Sequence, residues 1–199
     1  MRLDDAQIER YARQIVLPEV GAEGQRRLLD ARVVLAGADT AGTHLLGYLA
    51  AAGVGTIVAP PALHGAADPA HTDVRVSDAL PPDEGEVDVT IMLGADAARG
   101  PRARHVLWIA GGRAGEEPPC AACVAAALPP VAAAGPALEP LRAMLLGTAV
   151  ATEVLKRLLG VGAPLAGRVL AYDPARAEVA VETIAPRPDC AVCAPAAEG

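Results

Sequence analysis

The chain has 199 residues and a formal net charge of -7, and 52% of its residues are hydrophobic although it contains no Phe. This length suits one α/β domain that buries roughly 70% of its unfolded surface. The Lys and Arg residues are dispersed, so no basic stripe for nucleic acid is present, and the apolar runs are too short to span a membrane. The charged N-terminus lacks the apolar region of a signal peptide, so we expect a cytoplasmic protein.

The N-terminal part of the chain predicts two helices followed by a strand. Asp4 or Asp5 can cap a first helix, which Pro18 ends, and a second short helix is predicted over residues 24–29. Residues 31–36 form an apolar run rich in β-branched side chains, which indicates a buried strand.

A glycine-containing turn at residues 37–42 leads from this strand into an apolar helix. The helix is predicted over residues 43–52 and ends at Gly53, and residues 55–59 predict a second strand. Together these elements form a βαβ unit, which we expect to be parallel and right-handed.

The middle of the chain carries weaker signals. Residues 60–85 are rich in Pro, Ala and Asp and read mainly as loop, with one short strand candidate at residues 73–76. Two further strands are predicted at residues 87–93 and 105–110.

The longest helical signal covers residues 139–159, and leucines and threonines mark one face of it. The residues on that face are Leu141, Leu145, Thr148, Thr152 and Leu155. Lys156 and Arg157 lie near its C-terminal end, where cations interact favourably with the helix dipole. Residues 168–172 and 178–184 then predict an antiparallel hairpin.

All four cysteines fall in two C-x-x-C pairs, Cys120/Cys123 and Cys190/Cys193. Such a pair places two thiolates on one side of a tight turn, and two pairs complete the four-thiolate shell of structural zinc. Four protein ligands leave no open position for a catalytic water. We expect the metal to fasten the last strand to the loop after residues 105–110.

Redox dithiols and disulfides are the alternatives for these cysteines. A thioredoxin-like site requires a pair at a strand-to-helix turn, and we expect neither pair to lie at one. Disulfides are rare in the cytosol. Zinc is therefore the prediction.

Several segments resemble, in the same order, those of the MoeB/ThiF/HesA family of ubiquitin-activating-like adenylyltransferases. They are 9–15 (ERYARQI), 17–19 (LPE), 24–25 (GQ), 31–34 (ARVV) with the glycine turn, 48–55 (YLAAAGVG), 119–123 (PCAAC), 153–156 (EVLK), 167–173 (GRVLAYD) and 190–193 (CAVC). The resemblance covers most of the chain. It implies a dimeric enzyme that uses ATP and Mg²⁺ to adenylate the C-terminal glycine of a ubiquitin-like or sulfur-carrier protein.

The resemblance also assigns roles to individual residues. Arg13, with Arg10 nearby, matches the arginine that reaches the nucleotide of the other subunit. Gly37 and Gly42 match the outer glycines of the nucleotide loop, and Asp96 matches a metal-binding aspartate.

Other positions depart from the family pattern. Asp39 and Thr40 stand where inner glycines let backbone N–H groups approach phosphates, and a carboxylate there repels phosphate. After the second strand, residues 59–61 (APP) lack the acidic residue for the ribose. Among residues 63–79 only Arg75 is available in place of the asparagine, arginine and lysine that hold phosphates. Residues 124–140 replace a crossover loop and contain no cysteine.

These observations predict a Rossmann-like three-layer α/β fold with a mostly parallel sheet, a C-terminal antiparallel hairpin and a four-cysteine zinc knuckle. We expect one domain with N-terminal helices (1–30), a core (31–118) and a zinc-stapled part (119–199). The favoured function is a non-catalytic scaffold or partner subunit, a pseudoenzyme that forms a homodimer or pairs with an active paralogue and contacts a carrier protein.

Two other functions are the alternatives to this one. The first is an active ATP-dependent adenylyltransferase with an altered nucleotide site. The second, a dinucleotide-binding oxidoreductase, is weaker because its fingerprint needs an inner glycine and an acidic residue after the second strand.

Overall fold

The computed structural model describes residues 3–80, 86–94, 101 and 103–193. The helices are α1 (Asp5–Arg10), α2 (Ala12–Ile15), α3 (Gly21–Asp30), α4 (Thr40–Ala52), α5 (Ala121–Ala127) and α6 (Glu139–Leu159), with a 3₁₀ helix at Pro61–Ala66. The strands are β1 (Arg32–Ala36), β2 (Thr56–Val58), β3 (Arg75–Ser77), β4 (Val87–Leu93), β5 (Ala103–Ala110), β6 (Arg113–Glu116), β7 (Arg168–Asp173) and β8 (Glu178–Thr183).

The strands form one eight-stranded sheet in the order β3-β2-β1-β4-β5-β6-β7-β8. The first five strands in this order are parallel to their neighbours, and β6, β7 and β8 continue the sheet in antiparallel pairs. The mixed α/β fold with a mostly parallel sheet and an antiparallel C-terminal end is therefore confirmed. The division into parts 1–30, 31–118 and 119–199 stays a prediction.

The two faces of the sheet are buried by different elements, as the alternation of side chains along a strand requires. Leu107 and Ile109 of β5 join the main core with α4 and α6, whereas Trp108 between them packs with Val124 of α5 and Val169 of β7. Burial on both faces explains why β1 reads as an apolar run with Val33, Val34 and Leu35 in succession.

Helices α4 and α6 approach each other closely because α6 carries a glycine at the crossing. A Cβ on Gly147 would collide with the backbone carbonyl oxygen of Ala41 in the first turn of α4. This contact fixes the start of α4 and the turn that precedes it.

The face of α6 that the leucines and threonines mark is only partly buried. Leu141 is 45% exposed and Thr152 is exposed. The buried residues are Arg142, Leu146, Gly147, Val150, Ala151, Val154 and Leu159. The limits of the helix, by contrast, agree with the prediction.

Other predicted elements need correction. The first helix is divided at Tyr11, α4 begins three residues earlier than predicted, and the loop after β2 contains the 3₁₀ helix. β6 and α5 were not predicted. Among the described residues, no helix combines the length and the apolarity needed to cross a membrane.

Candidate functional site

The four cysteines meet in one cluster between α5 and the segment after β8. The Sγ atoms of Cys120 and Cys123 are 3.8 Å apart, and the Cys120–Cys190 and Cys123–Cys193 pairs are each 3.6 Å apart. All four Sγ atoms lie within 4.8 Å of one another, and Cys120, Cys123 and Cys190 are buried. The cluster could hold a metal ion.

These distances suit zinc. Thiolates about 2.3 Å from a tetrahedral zinc ion are separated by roughly 3.8 Å along each edge of the tetrahedron. The same separations exclude disulfides, whose sulfur atoms lie about 2.0 Å apart. The donor set therefore fits a closed, structural metal site.

Backbone N–H groups support the cluster. The backbone N–H of Arg187 donates to Sγ of Cys123 at 3.4 Å, and donation from the N–H groups of Cys193 and Val192 lowers the pKa of Cys190 to about 6. Burial raises the pKa values of Cys120 and Cys193. Bound metal would supply the positive charge that lets buried thiolates form.

One argument for zinc was wrong in its premise. Cys120 is the N-cap residue of α5, and β6 ends at Glu116, so the Cys120/Cys123 pair does lie between a strand and a helix. In addition, the strand β6 separates Cys120 and Cys123 from β5, so they do not lie in a loop directly after β5. The redox alternative is disfavoured instead by the second pair, because a two-cysteine redox site does not need Cys190 and Cys193 in contact with the first pair.

The turn between β1 and α4 holds the residues that match the nucleotide loop. Gly37 has a φ of +99°, and a Cβ there would collide with the carbonyl oxygen of Leu93. A Cβ on Gly42 would lie 2.5 Å from Cδ1 of Leu93. Packing against the backbone of β4 therefore requires Gly37, whether or not a nucleotide binds, whereas a side chain at position 42 would displace the end of the Leu93 side chain.

Asp39 is the N-cap residue of α4. Its Oδ1 accepts a hydrogen bond from the backbone N–H of Gly42 at 2.8 Å. An N-cap carboxylate satisfies one of the unpaired N–H groups at a helix start and interacts favourably with the helix dipole. Those N–H groups are the ones that bind phosphate in nucleotide-binding turns.

The end of β2 offers no acidic side chain. Ala59 and Pro60 lead into the 3₁₀ helix, whose Leu63 is buried and lies near Gly42. Nε2 of His64 lies 2.8 Å from the carbonyl oxygen of Ala59, which ties the 3₁₀ helix back to the strand.

The two N-terminal arginines differ in their surroundings. Arg10 forms an ion pair with Asp73 and a hydrogen bond to Thr72, so it is bound within the chain. Arg13 is exposed and has no hydrogen-bond or ion-pair partner among the described residues. Asp96 lies outside the described residues.

A cavity of about 660 Å³ opens at the carboxyl ends of the central strands. Asp39 after β1, Gly94 after β4 and Gly111 after β5 border it, and α5 and α6 form its sides. In open α/β sheets this is where ligands bind, at the point where the strand order reverses. The cavity could not be predicted from the sequence, in which residues 124–140 stand out only as a cysteine-free replacement for a loop.

Comparisons with known proteins agree with this arrangement. Residues 11–59 match the model of the ThiF family. The chain is 30% identical to a sulfur carrier protein adenylyltransferase of Thermus thermophilus over an alignment of 257 positions, which covers 97% of this chain and 93% of that protein. It is also 30% identical to bovine adenylyltransferase and sulfurtransferase MOCS3, but covers only 54% of that protein.

Among solved structures, Escherichia coli MccB has the same fold. It superposes with a TM-score of 0.61 at 16% sequence identity, over 94% of this chain and 72% of MccB. The chain belongs to the ThiF family of adenylyltransferase-like proteins, because it matches the Thermus thermophilus protein over nearly the whole length of both chains and residues 11–59 match the family model.

Proposed function

We propose that this chain is a non-catalytic ThiF-family subunit, with a structural zinc site and a cytoplasmic location, that acts by pairing with another subunit. The partner is a second copy or an active paralogue, and the pair contacts a sulfur-carrier or ubiquitin-like protein. The observation that carries the proposal is the Asp39 carboxylate at the N-terminus of α4, hydrogen-bonded to Gly42.

The energetic argument concerns charge at the phosphate position. A phosphate charge about 4 Å from a carboxylate is repelled by about 4 kcal/mol at an effective dielectric constant of 20, which outweighs one hydrogen bond. The Asp39 side chain also already uses a backbone N–H that a phosphate would need. Positions 59 and 60 hold Ala59 and Pro60 in place of an acidic residue. The end of β2 therefore offers no carboxylate to bind a ribose and compensate for the repulsion of the phosphate.

Arg13 supports a role in pairing. It is exposed on α2, and the ion pair between Arg10 and Asp73 anchors the preceding helix α1 to the body of the protein. A guanidinium held on a fixed helix, with no internal partner among the described residues, is available to another subunit.

Exposed apolar side chains support the same proposal. Met144 and Leu141 on α6 are 43% and 45% exposed, and Tyr48 on α4 and Val16 after α2 are also exposed. Of these residue types, Met and Tyr are enriched at protein–protein interfaces. A dimer interface would remove them from water.

The pairing role is tested with an active full-length paralogue that co-purifies with this chain. We expect Arg13→Ala to lower the ATP–pyrophosphate exchange of that partner by about a hundredfold, the typical cost of removing one donor that stabilises developing charge. Arg27→Ala, which removes an exposed arginine of α3, serves as the matched control. If ATP–pyrophosphate exchange is unchanged with Arg13→Ala, Arg13 does not contribute to the nucleotide site of the partner subunit.

An active adenylyltransferase is the second candidate. It is favoured by the near full-length match to the Thermus thermophilus enzyme and by the cavity at the carboxyl ends of the strands. Calorimetry with ATP and Mg²⁺ separates the two candidates, because micromolar binding favours the enzyme and absence of binding favours the scaffold.

A further inference from the structure

Helix α5 forms one side of the cavity at the carboxyl ends of the central strands. Its residues Ala121, Ala122, Val124 and Ala125 border the cavity. The helix has seven residues, of which only Cys123 and Val124 are buried. A helix this short is marginal in water without tertiary contacts, and alanine side chains bury little apolar surface. The position of this side of the cavity therefore depends on the contacts that hold α5 in place.

Two of the four cysteines lie at the first turn of α5. Cys120 is the N-cap residue and Cys123 follows three residues later, and the Sγ atoms of both belong to the cysteine cluster. Ala121 and Ala122, which border the cavity, lie between them in the sequence. Metal bound at the cluster would therefore fix the backbone of this side of the cavity as well as the segment after β8.

Trp108 on β5 connects the cysteine cluster to the cavity from the side of the sheet. Its buried side chain packs with Val124 of α5 and borders the cavity. Its indole Nε1–H donates to the carbonyl oxygen of Pro119, the residue before Cys120, at 3.0 Å. On β6, a Cβ on Gly115 would lie 2.5 Å from Cζ2 of the ring, so the ring lies directly against that strand. Trp108 thus contacts both β6 and the start of α5.

We propose that metal binding by the four cysteines sets the shape of the cavity, because it fixes α5 and, through Pro119, the indole of Trp108. Without metal, α5 keeps the packing of Val124 but loses the anchor at its first turn, so this side of the cavity moves away from β5. Trp108 acts as a positioning residue for the metal site. The inference rests on the zinc site of the proposed function and is independent of Asp39 and Arg13.

The fluorescence of Trp108, the single tryptophan of the chain, reports on this side of the cavity. The zinc-loaded protein is compared before and after a chelator removes the zinc. We expect the emission to shift to longer wavelength and acrylamide quenching to increase as the indole becomes exposed to water, and both changes to reverse when zinc is restored. Amide hydrogen exchange of the same samples should accelerate in α5 while α4 remains protected.

Trp108→Phe tests the hydrogen bond to Pro119 from the side of the metal. The variant lacks the indole N–H but keeps an aromatic ring, and we expect its zinc affinity to fall by about tenfold, the lower end of the effect of residues that support metal ligands. Competition with a chromogenic chelator measures the affinity. Tyr11→Phe is the matched control, because it removes a hydrogen bond of another buried aromatic side chain that lies outside the cavity lining and the cluster. It should retain the wild-type affinity.

The possible failures of this inference and of the proposed function can be told apart. If the chain binds no zinc, both the inference and the zinc site of the proposed function are wrong. If zinc removal accelerates exchange in β7 and β8 but leaves the Trp108 emission and α5 unchanged, the inference alone is wrong. Loss of protection in α4 would also overturn it, because the whole domain would then unfold. Wild-type zinc affinity in Trp108→Phe would overturn the positioning role of Trp108.

Discussion

Asp39 satisfies one of the four N–H groups that α4 leaves unpaired at its start. The same side chain places a negative charge where a phosphate-binding turn presents only backbone. The backbone of β4 passes too close to Gly37 for a Cβ, and a Cβ on Gly42 would displace the end of the Leu93 side chain. Their presence in the sequence therefore does not distinguish a nucleotide site from a packing requirement.

The capping role of Asp39 predicts a loss of stability on truncation. Asp39→Ala should lower the free energy of unfolding by about 1 kcal/mol, the usual effect of removing an N-cap side chain, and Asp39→Ser should retain most of it. Urea unfolding followed by circular dichroism measures both variants. Equal stability of Asp39→Ala and the wild type would show that the hydrogen bond to Gly42 contributes nothing.

At the level of elements, long periodic or β-branched segments could be predicted, and short segments that depend on tertiary contacts could not. β1, β4 and α6 were found because an apolar run or a helical period persists over several residues. β6 has the sequence RAGE, and it becomes a strand only through pairing with β5 and β7. Its Gly115 lies against the ring of Trp108, which leaves no room for a Cβ.

The buried face of α6 was missed for a related reason. Arg142 and Gly147 lie on that face, and neither registers as a core residue in a hydrophobic pattern. Arg142 is buried because a carboxylate and two backbone carbonyl oxygens accept its hydrogen bonds. The carboxylate is that of Glu139 in the same helix, but the two carbonyl oxygens, of Ala132 and Tyr172, lie outside the helix and cannot be inferred from spacing within it.

The cysteine cluster links α5 to the segment that follows β8, so metal removal should loosen the C-terminal strands. Structural zinc contributes free energy of order 10 kcal/mol, comparable with the stability of a domain. We expect one zinc ion per chain by mass spectrometry. After chelation, amide hydrogen exchange in β7 and β8 should accelerate while α4 changes less.

Serine substitution tests the same link without a chelator. Cys190→Ser should lower zinc content and accelerate exchange in β7 and β8 to a similar extent. Two results would contradict the proposal that zinc fastens the C-terminal strands. One is a protein that binds no zinc, and the other is loss of zinc with no change in amide hydrogen exchange in β7 and β8.

At the scale of the whole molecule, the fold class could be predicted because the family resemblance and the strand pattern agree. The continuous sheet brings the carboxyl ends of β1, β4 and β5 together at one edge, beneath α5 and the segment that follows it. The sequence alone did not reveal the cavity, since its lining comes from elements far apart in the chain. The fold of the ThiF family is thus retained around a turn in which Asp39 caps α4.

The binding of ATP tests this account most directly. Zinc-loaded wild-type protein is titrated with ATP and Mg²⁺ by calorimetry, with the Thermus thermophilus sulfur carrier protein adenylyltransferase as the positive control. The carboxylate of Asp39 at the start of α4 predicts no saturable heat at micromolar nucleotide concentrations. Micromolar binding by the wild-type chain would contradict the non-catalytic assignment.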